Sequence, residues 1–75
     1  MKGKIFVTIK KADGEEIKEA YTDTIEVDGW SATDKEIKEC MLDALNNSPH
    51  SFNGNAGNSL IEDNGNVWTF DFMEV

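Results

Sequence analysis

Apolar and polar residues alternate along the N-terminal part of the chain. Between Lys4 and Lys10, β-branched aliphatic residues occupy every second position, which is the period that predicts a β-strand. The pair Asp13-Gly14 predicts a type I′ hairpin turn, because both central residues of that turn need a positive φ. A return strand is expected from Ile17 through Val27. Because Glu19 and Asp23 interrupt its apolar positions, we expect a bulge or a partly exposed hairpin end.

The middle of the chain has the pattern of one amphipathic helix. Thr33 and Glu36 have the spacing of a capping box, which predicts that the helix begins there. Asn46-Asn47-Ser48-Pro49 predicts its end, which gives a helix of about 13–15 residues. Apolar residues recur between these points at spacings of three and four, as in a helix that packs one side against a core. The expected buried stripe consists of Ile37, Cys40, Met41, Ala44 and Leu45.

The C-terminal third begins with a polar stretch and ends in a predicted hairpin. Residues 46–59 have no hydrophobic period, and Phe52 is the one large apolar side chain before Leu60, so we expect a long loop that Phe52 anchors to the core. Asn64-Gly65 predicts the second hairpin turn. In the strand after it, aromatic residues alternate from Trp68 to Phe72 and form one apolar face against which the helix packs.

Together these elements predict one α+β domain over residues 1–75. The order is ββαββ, with one amphipathic helix packed on one face of an antiparallel four-stranded sheet. A chain of 75 residues has room for a single core, because a domain of this size buries only about 60% of the surface that its unfolded chain exposes.

Composition restricts the class of partner. Fifteen acidic and seven basic residues give a formal net charge of −8, which disfavours direct binding to nucleic acid or to an anionic membrane and favours a basic protein surface. Every basic residue is a lysine, so the bidentate fork with which arginine binds phosphate is missing. One cysteine, Cys40, cannot form an internal disulfide, and no segment has the length of a signal or membrane-spanning sequence, so we expect a soluble cytoplasmic protein.

The residues predict no catalytic site, cofactor or metal. The single histidine, His50, lies in the polar stretch, where a solvated side chain is expected, and Cys40 lies among the apolar positions of the helix, where a small buried residue is expected. Gly54-Asn55-Ala56-Gly57 lacks the lysine of a phosphate-binding loop, and the residues around Asn64-Gly65 lack the alternating acids of a calcium loop. We therefore expect no enzyme.

Charge placement gives the remaining signal, because the acids are clustered. On a strand, carboxylates such as Glu26 and Asp28 would be spaced about 6.5–7 Å apart and could imitate phosphates. Trp30 or Phe52 would provide an apolar anchor. The expected partner-binding residues are Asp13, Glu15, Glu16, Glu19, Asp23, Glu26, Asp28, Trp30, Glu36, Glu39, Asp43 and Phe52.

In length and charge the chain resembles the small inhibitors of phages and mobile elements, which include anti-CRISPR and other DNA-mimic proteins, although no motif carries this resemblance. The function expected first is therefore a non-enzymatic inhibitor that blocks a basic nucleic-acid-binding groove of a partner protein, in the host cytoplasm if a phage encodes it. The alternative is an interaction or assembly module, such as a homodimer, that self-associates through a sheet edge or an apolar surface.

Overall fold

The computed structural model describes residues 1–75 and confirms the α+β class, with one helix packed on an antiparallel sheet. The prediction of four strands was wrong, because the sheet has six. The elements are β1 (Lys2–Lys10), β2 (Glu16–Ala20), β3 (Ile25–Glu26), α1 (Trp30–Asn47), β4 (Phe52–Ala56), β5 (Ser59–Glu62) and β6 (Val67–Glu74).

The first and last strands of the chain are neighbours in the sheet. The strand order is β2-β1-β6-β5-β4, β3 pairs with the N-terminal end of β1, and all pairs are antiparallel. The pairing of β1 with β6 runs from Gly3 opposite Glu74 to Lys10 opposite Val67. This register joins residues from the two ends of the sequence and gives the sheet its centre.

The helix covers one side of the sheet, which we call the inner face; the opposite side is the outer face. Side chains of a strand alternate between the two faces, and Ile5, Val7, Leu60, Trp68 and Phe70 are buried on the inner face. The helix buries its own stripe against them, so the aromatic residues of β6 form the predicted wall. The buried residues of α1 are Thr33, Ile37, Cys40, Met41 and Ala44.

The helix begins four residues earlier than the capping box predicts, because that box would make Thr33 the N-terminal cap. Gly29 is the N-terminal cap, with a φ of 89°, and no side chain caps the helix. Thr33 lies inside α1, buried, and its hydroxyl donates a hydrogen bond to the carbonyl oxygen of Gly29 at 2.9 Å. The predicted end is confirmed at Asn47. Leu45, predicted in the core, is 42% exposed, since it lies about 100° around α1 from the buried Ala44, at the margin of the buried stripe.

The two predicted hairpin turns are present, but neither is a type I′ turn. The amide of Lys11 donates to Glu15 and that of Gly14 donates to Lys11, which encloses a three-residue loop in which only Gly14 has a positive φ. The turn at Asn64-Gly65 repeats this arrangement between Glu62 and Asn66. A three-residue loop needs one left-handed residue, so a single glycine satisfies it.

The predicted second strand is split by a bulge. The amides of Tyr21 and Thr22 both donate to the carbonyl oxygen of Ile5, at 2.8 and 3.3 Å, and two residues opposite one is the geometry of a β-bulge. The amide of Ile5 in turn donates to the Thr22 hydroxyl at 3.1 Å. After the bulge the chain pairs with β1 again only as the two-residue β3.

The prediction of a long loop over residues 46–59 was wrong, because β4 lies inside it. A two-residue turn, Gly57-Asn58, connects β4 to β5, with Ala56 opposite Ser59. Hydrophobic periodicity cannot reveal β4, because an edge strand needs backbone pairing more than it needs buried side chains. Phe52 packs against the core, as its anchoring role requires.

The helix is not apolar enough along its length to cross a membrane.

Candidate protein-binding surface

The two sides of the sheet carry different charge. Lys10 and Lys18 lie on the outer face with Phe6, whose ring centroid is 5.5 Å from the Lys18 ammonium. Lys2 and Lys4 share this side by alternation along β1. Four of the seven lysines of the chain therefore lie away from the helix, and the side that carries the helix is left more acidic.

Two of the predicted acids lie among these lysines. Glu16 is directly opposite Lys10, and Glu26 is directly opposite Lys2. The N-terminal ammonium also lies close to Glu26, at 3.5 Å from its carboxylate. β3 ends at Glu26, so Asp28 lies beyond the strand and the strand spacing predicted for this pair is wrong. The nearby cations offset the charge of Glu16 and Glu26 toward a partner.

The helix brings three other predicted acids together. At about 100° per residue, Glu36, Glu39 and Asp43 fall within about 60° of one another, and at about 1.5 Å rise per residue they span about 10 Å of the axis. We call these three residues the acidic flank. Its position beside β2 follows from the hydrogen bond between Asp43 and Tyr21, the residue after that strand. Glu19 is on the inner side of β2, because it pairs with Val7.

Hydrogen bonds hold one member of the acidic flank in place. The Tyr21 hydroxyl donates to Oδ2 of Asp43 at 2.7 Å, and the Asn47 amide donates to Oδ1 at 2.8 Å. These two bonds, the first having the larger effect, lower the pKa of the Asp43 carboxyl. Burial, followed by the bond to Asp43, raises the pKa of Tyr21 above its ordinary value. Asp43 is therefore an oriented, ionised carboxylate.

Cys40 lies beside the acidic flank on the buried side of α1. Burial raises the pKa of its thiol to about 11, and the negative charges of Glu36, Asp43 and Glu39 add to the effect in that order. A thiol in this environment is a poor nucleophile, because the thiolate is the reactive form. Cys40 is buried and unpaired, in agreement with its predicted structural role.

The remaining predicted residues do not join the acidic flank in one element. Asp13 and Glu15 lie at the loop between β1 and β2, where the carboxylate of Asp13 accepts a hydrogen bond from the Glu15 amide. Asp23 lies between β2 and β3. Trp30 is the first residue of α1 and is 69% exposed. Phe52 is half-buried, with its ring at 5.3 Å from that of Trp68, so Trp30 is the exposed aromatic residue of the predicted pair.

Sequence reasoning missed one polar cluster, which joins the end of β5 to the segment before β4. Glu62 is only 4% exposed, and its Oε1 lies 2.8 Å from Nδ1 of His50. The His50 ring makes an edge contact with Trp68 at 5.3 Å, and the buried Nε1 of Trp68 has no hydrogen-bond partner. Glu62 shares the parity of Leu60, which was the available signal that this carboxylate would face the core.

This cluster borders a shallow polar groove of about 350 Å³ between Pro49 and Asn64. A carboxylate that orients a histidine is also found in nucleophilic enzymes, where the second ring nitrogen contacts a hydroxyl or thiol. The His50 side chain has one polar contact, the one to Glu62. No three His, Cys, Asp or Glu side chains converge as a metal site would require. The pair has the geometry of a structural contact.

The sequence matches no protein-family model, and neither curated proteins nor solved structures give a significant match. The function of the chain must therefore be inferred from its own residues.

Proposed function

We propose that this protein is a non-enzymatic inhibitor that binds a basic, nucleic-acid-binding surface of a partner protein through the acidic flank of α1. The observation that carries the proposal is the grouping of Glu36, Glu39 and Asp43 on one side of the helix, with Asp43 fixed by Tyr21 and Asn47. Oriented carboxylates can replace phosphates on lysine and arginine side chains without a large ordering cost.

The difference in charge between the two sides of the sheet also supports binding through the helix side. On the outer face four lysines offset the acids Glu16, Glu26 and Asp71, whereas α1 carries four acids and two lysines. A basic partner is therefore attracted more strongly to the helix side than to the outer face. The flank has about one charge per 5 Å of helix axis at 1.5 Å rise per residue, against about one per 3.4 Å along a DNA strand. It imitates a short piece of phosphate backbone, and Glu19 would widen it.

The inhibitor would belong to the kind that phages and mobile elements carry, the anti-CRISPR type included, and would act in a reducing cytoplasm. Long-range attraction would speed association and would weaken as salt is added. Direct binding to nucleic acid or to a membrane is not part of the proposal, because a net charge of −8 opposes both.

The test compares two variants with the same change in net charge. E36Q/E39Q neutralises the acidic flank, and E15Q/E16Q neutralises the hairpin loop and the outer face. Each protein is immobilised and exposed to nuclease-treated lysate of its source cells, and retained proteins are identified after elution with increasing salt. A retained basic protein is then purified, and its association rate is measured with and without competing duplex DNA.

The proposal expects a partner that salt elutes and DNA displaces. E36Q/E39Q should slow its association several-fold at low salt, whereas E15Q/E16Q should change it little. A partner that E36Q/E39Q binds as well as the wild type, or that DNA does not displace, would contradict the proposal.

A further inference from the structure

We propose that two copies of the chain form a dimer in which Trp30 of each copy inserts into an apolar groove on the other. The groove lies between α1 and the β4–β5 hairpin and has a volume of about 280 Å³. Its walls include Met41, Leu42 and Leu45 on the helix and Leu60 on the hairpin. This contact is independent of the acidic flank and of its partner.

The groove is an unusual surface for a protein of this charge. Leu42 is 56% exposed and Leu45 is 42% exposed. At about 100° per residue, Leu45 lies on the side of α1 opposite the acidic flank, and Leu42 lies about 60° from Glu39. An engineered protein cavity of about 150 Å³ holds a benzene molecule, so this groove has room for an indole ring. Trp30, 69% exposed, is the exposed aromatic side chain on the same helix.

The helix is self-complementary when two copies run antiparallel. If a two-fold axis crosses the pair at the level of residue 36, the residue n positions before that level lies at the same height as the residue n positions after it in the second copy. Glu36 itself lies on the far side of the helix, about 160° from Lys38. Trp30 of one copy then lies level with the groove of the other at Leu42, and Asp34 lies level with Lys38, one of the lining residues of the groove. The symmetry repeats both contacts, which closes the assembly at two copies.

The surrounding structure leaves this side of the helix accessible. β5 pairs with β6 only from Val67 to Thr69, so the C-terminal half of β6 has a strand beside it on one edge only, where β1 pairs with it. Lys38 lines the groove, and Lys35, the other lysine of α1, lies about 60° from it around the helix. Copies that each carry −8 would therefore meet where repulsion is weakest. This complementarity of charge and shape identifies the second copy as the occupant.

Sedimentation velocity over a wide concentration range tests the dimer, with W30A as the first variant. The wild type should show a monomer–dimer equilibrium. Because each dimer contains two buried tryptophan anchors, W30A should raise the dissociation constant by about 100-fold or more. The exposed position of Trp30 predicts that W30A keeps its circular dichroism spectrum and its Tm. A wild type that stays monomeric throughout, or a W30A variant that dimerises equally well, overturns the proposal.

Charge reversal tests the antiparallel register. D34K and K38D should each weaken the dimer by about tenfold, because each places like charges opposite one another. The double variant D34K/K38D should restore it. The matched control is E36K, on the far side of the helix, which makes the same change in net charge and should leave the dimer intact. If the double variant does not recover, the register is wrong. If E36K weakens the dimer as much as D34K does, the effect is one of net charge alone, which overturns the proposed pairing.

Discussion

Replacement of His50 by alanine should lower the free energy of unfolding by about 1–3 kcal/mol. The variant removes the hydrogen-bond partner of Glu62, whose carboxylate is 4% exposed and lies 2.8 Å from the imidazole. A fully buried charge left without its partner costs about 3–5 kcal/mol. The His50 side chain is 48% exposed, so water can enter where the ring was, and the lower range applies.

A loss of this size would be a large part of the total free energy of unfolding, because a domain of this length has roughly 4–11 kcal/mol of stability at about 0.05–0.15 kcal/mol per residue. Urea unfolding followed by circular dichroism measures it. With a slope near about 1 kcal/mol per molar urea, H50A should lower the midpoint by roughly 1–3 M. S51A is the control, since Ser51 is exposed and its hydroxyl forms no hydrogen bond with Glu62, and it should cost under about 0.5 kcal/mol.

A double-mutant cycle separates the lost pair from lost packing against Trp68. In an E62Q background the buried charge is absent, so H50A should cost about 1 kcal/mol less than it does in the wild type. The reasoning is refuted if H50A stays within about 0.5 kcal/mol of the wild type, or if the variant costs as much with glutamine at position 62 as with glutamate.

Three further predictions follow from backbone packing and from the shifted pKa values. G3A should destabilise by about 1–3 kcal/mol in thermal unfolding, because an added Cβ would overlap the backbone carbonyl oxygen of Met73 and lie 2.6 Å from the Phe72 ring; an unchanged Tm would contradict this close approach. Alkylation of Cys40 should be slow at neutral pH and should rise toward pH 11, the folded pKa. Because that pKa lies above the ordinary value of 9.0, the contribution of the Cys40 thiol to stability is intact below pH 9 and is lost as the pH rises toward 11. A thiol that titrates near 9 in the folded protein would refute both statements. Y21F should raise the pKa of the Asp43 carboxyl toward 3.8 in a carboxyl NMR titration, since the larger of its two hydrogen bonds is gone. In the wild type, the lowered pKa means that ionised Asp43 stabilises the folded protein above the ordinary pKa, and that this stabilisation is lost as the pH falls through the folded pKa. An unchanged titration in Y21F would show that the hydrogen bond from Tyr21 does not hold the carboxylate.

The α+β class, the helix and the aromatic strand could be predicted from sequence because their signals are local. β1 and β6 alternate with a period of two, and α1 has apolar residues at spacings of three and four. In a strand or a helix, the position of a residue fixes the face to which its side chain points, so the spacing of the apolar residues identifies the element. The bulge after β2 could also be anticipated, from acids at positions that should be apolar.

Tertiary contacts decided what these patterns do not contain. β4 has no hydrophobic period and exists because β5 satisfies its backbone groups. The helix begins at Trp30 because packing buries Thr33 and leaves Gly29 as the cap, although a capping box is present in the sequence. In both cases a long-range contact outweighed a local preference of about 1 kcal/mol.

The candidate surface divides in the same way. Net charge and the clustering of acids can be counted along the chain, and they indicate a basic partner. Which acids face the same way depends on register and on helix rotation, which placed Glu16 and Glu26 opposite lysines and brought Glu36, Glu39 and Asp43 together. The sequence alone determined the amount of charge on this protein. The pairing of its distant strands decided where that charge is exposed, because strand pairing is fixed by contacts that no local pattern encodes.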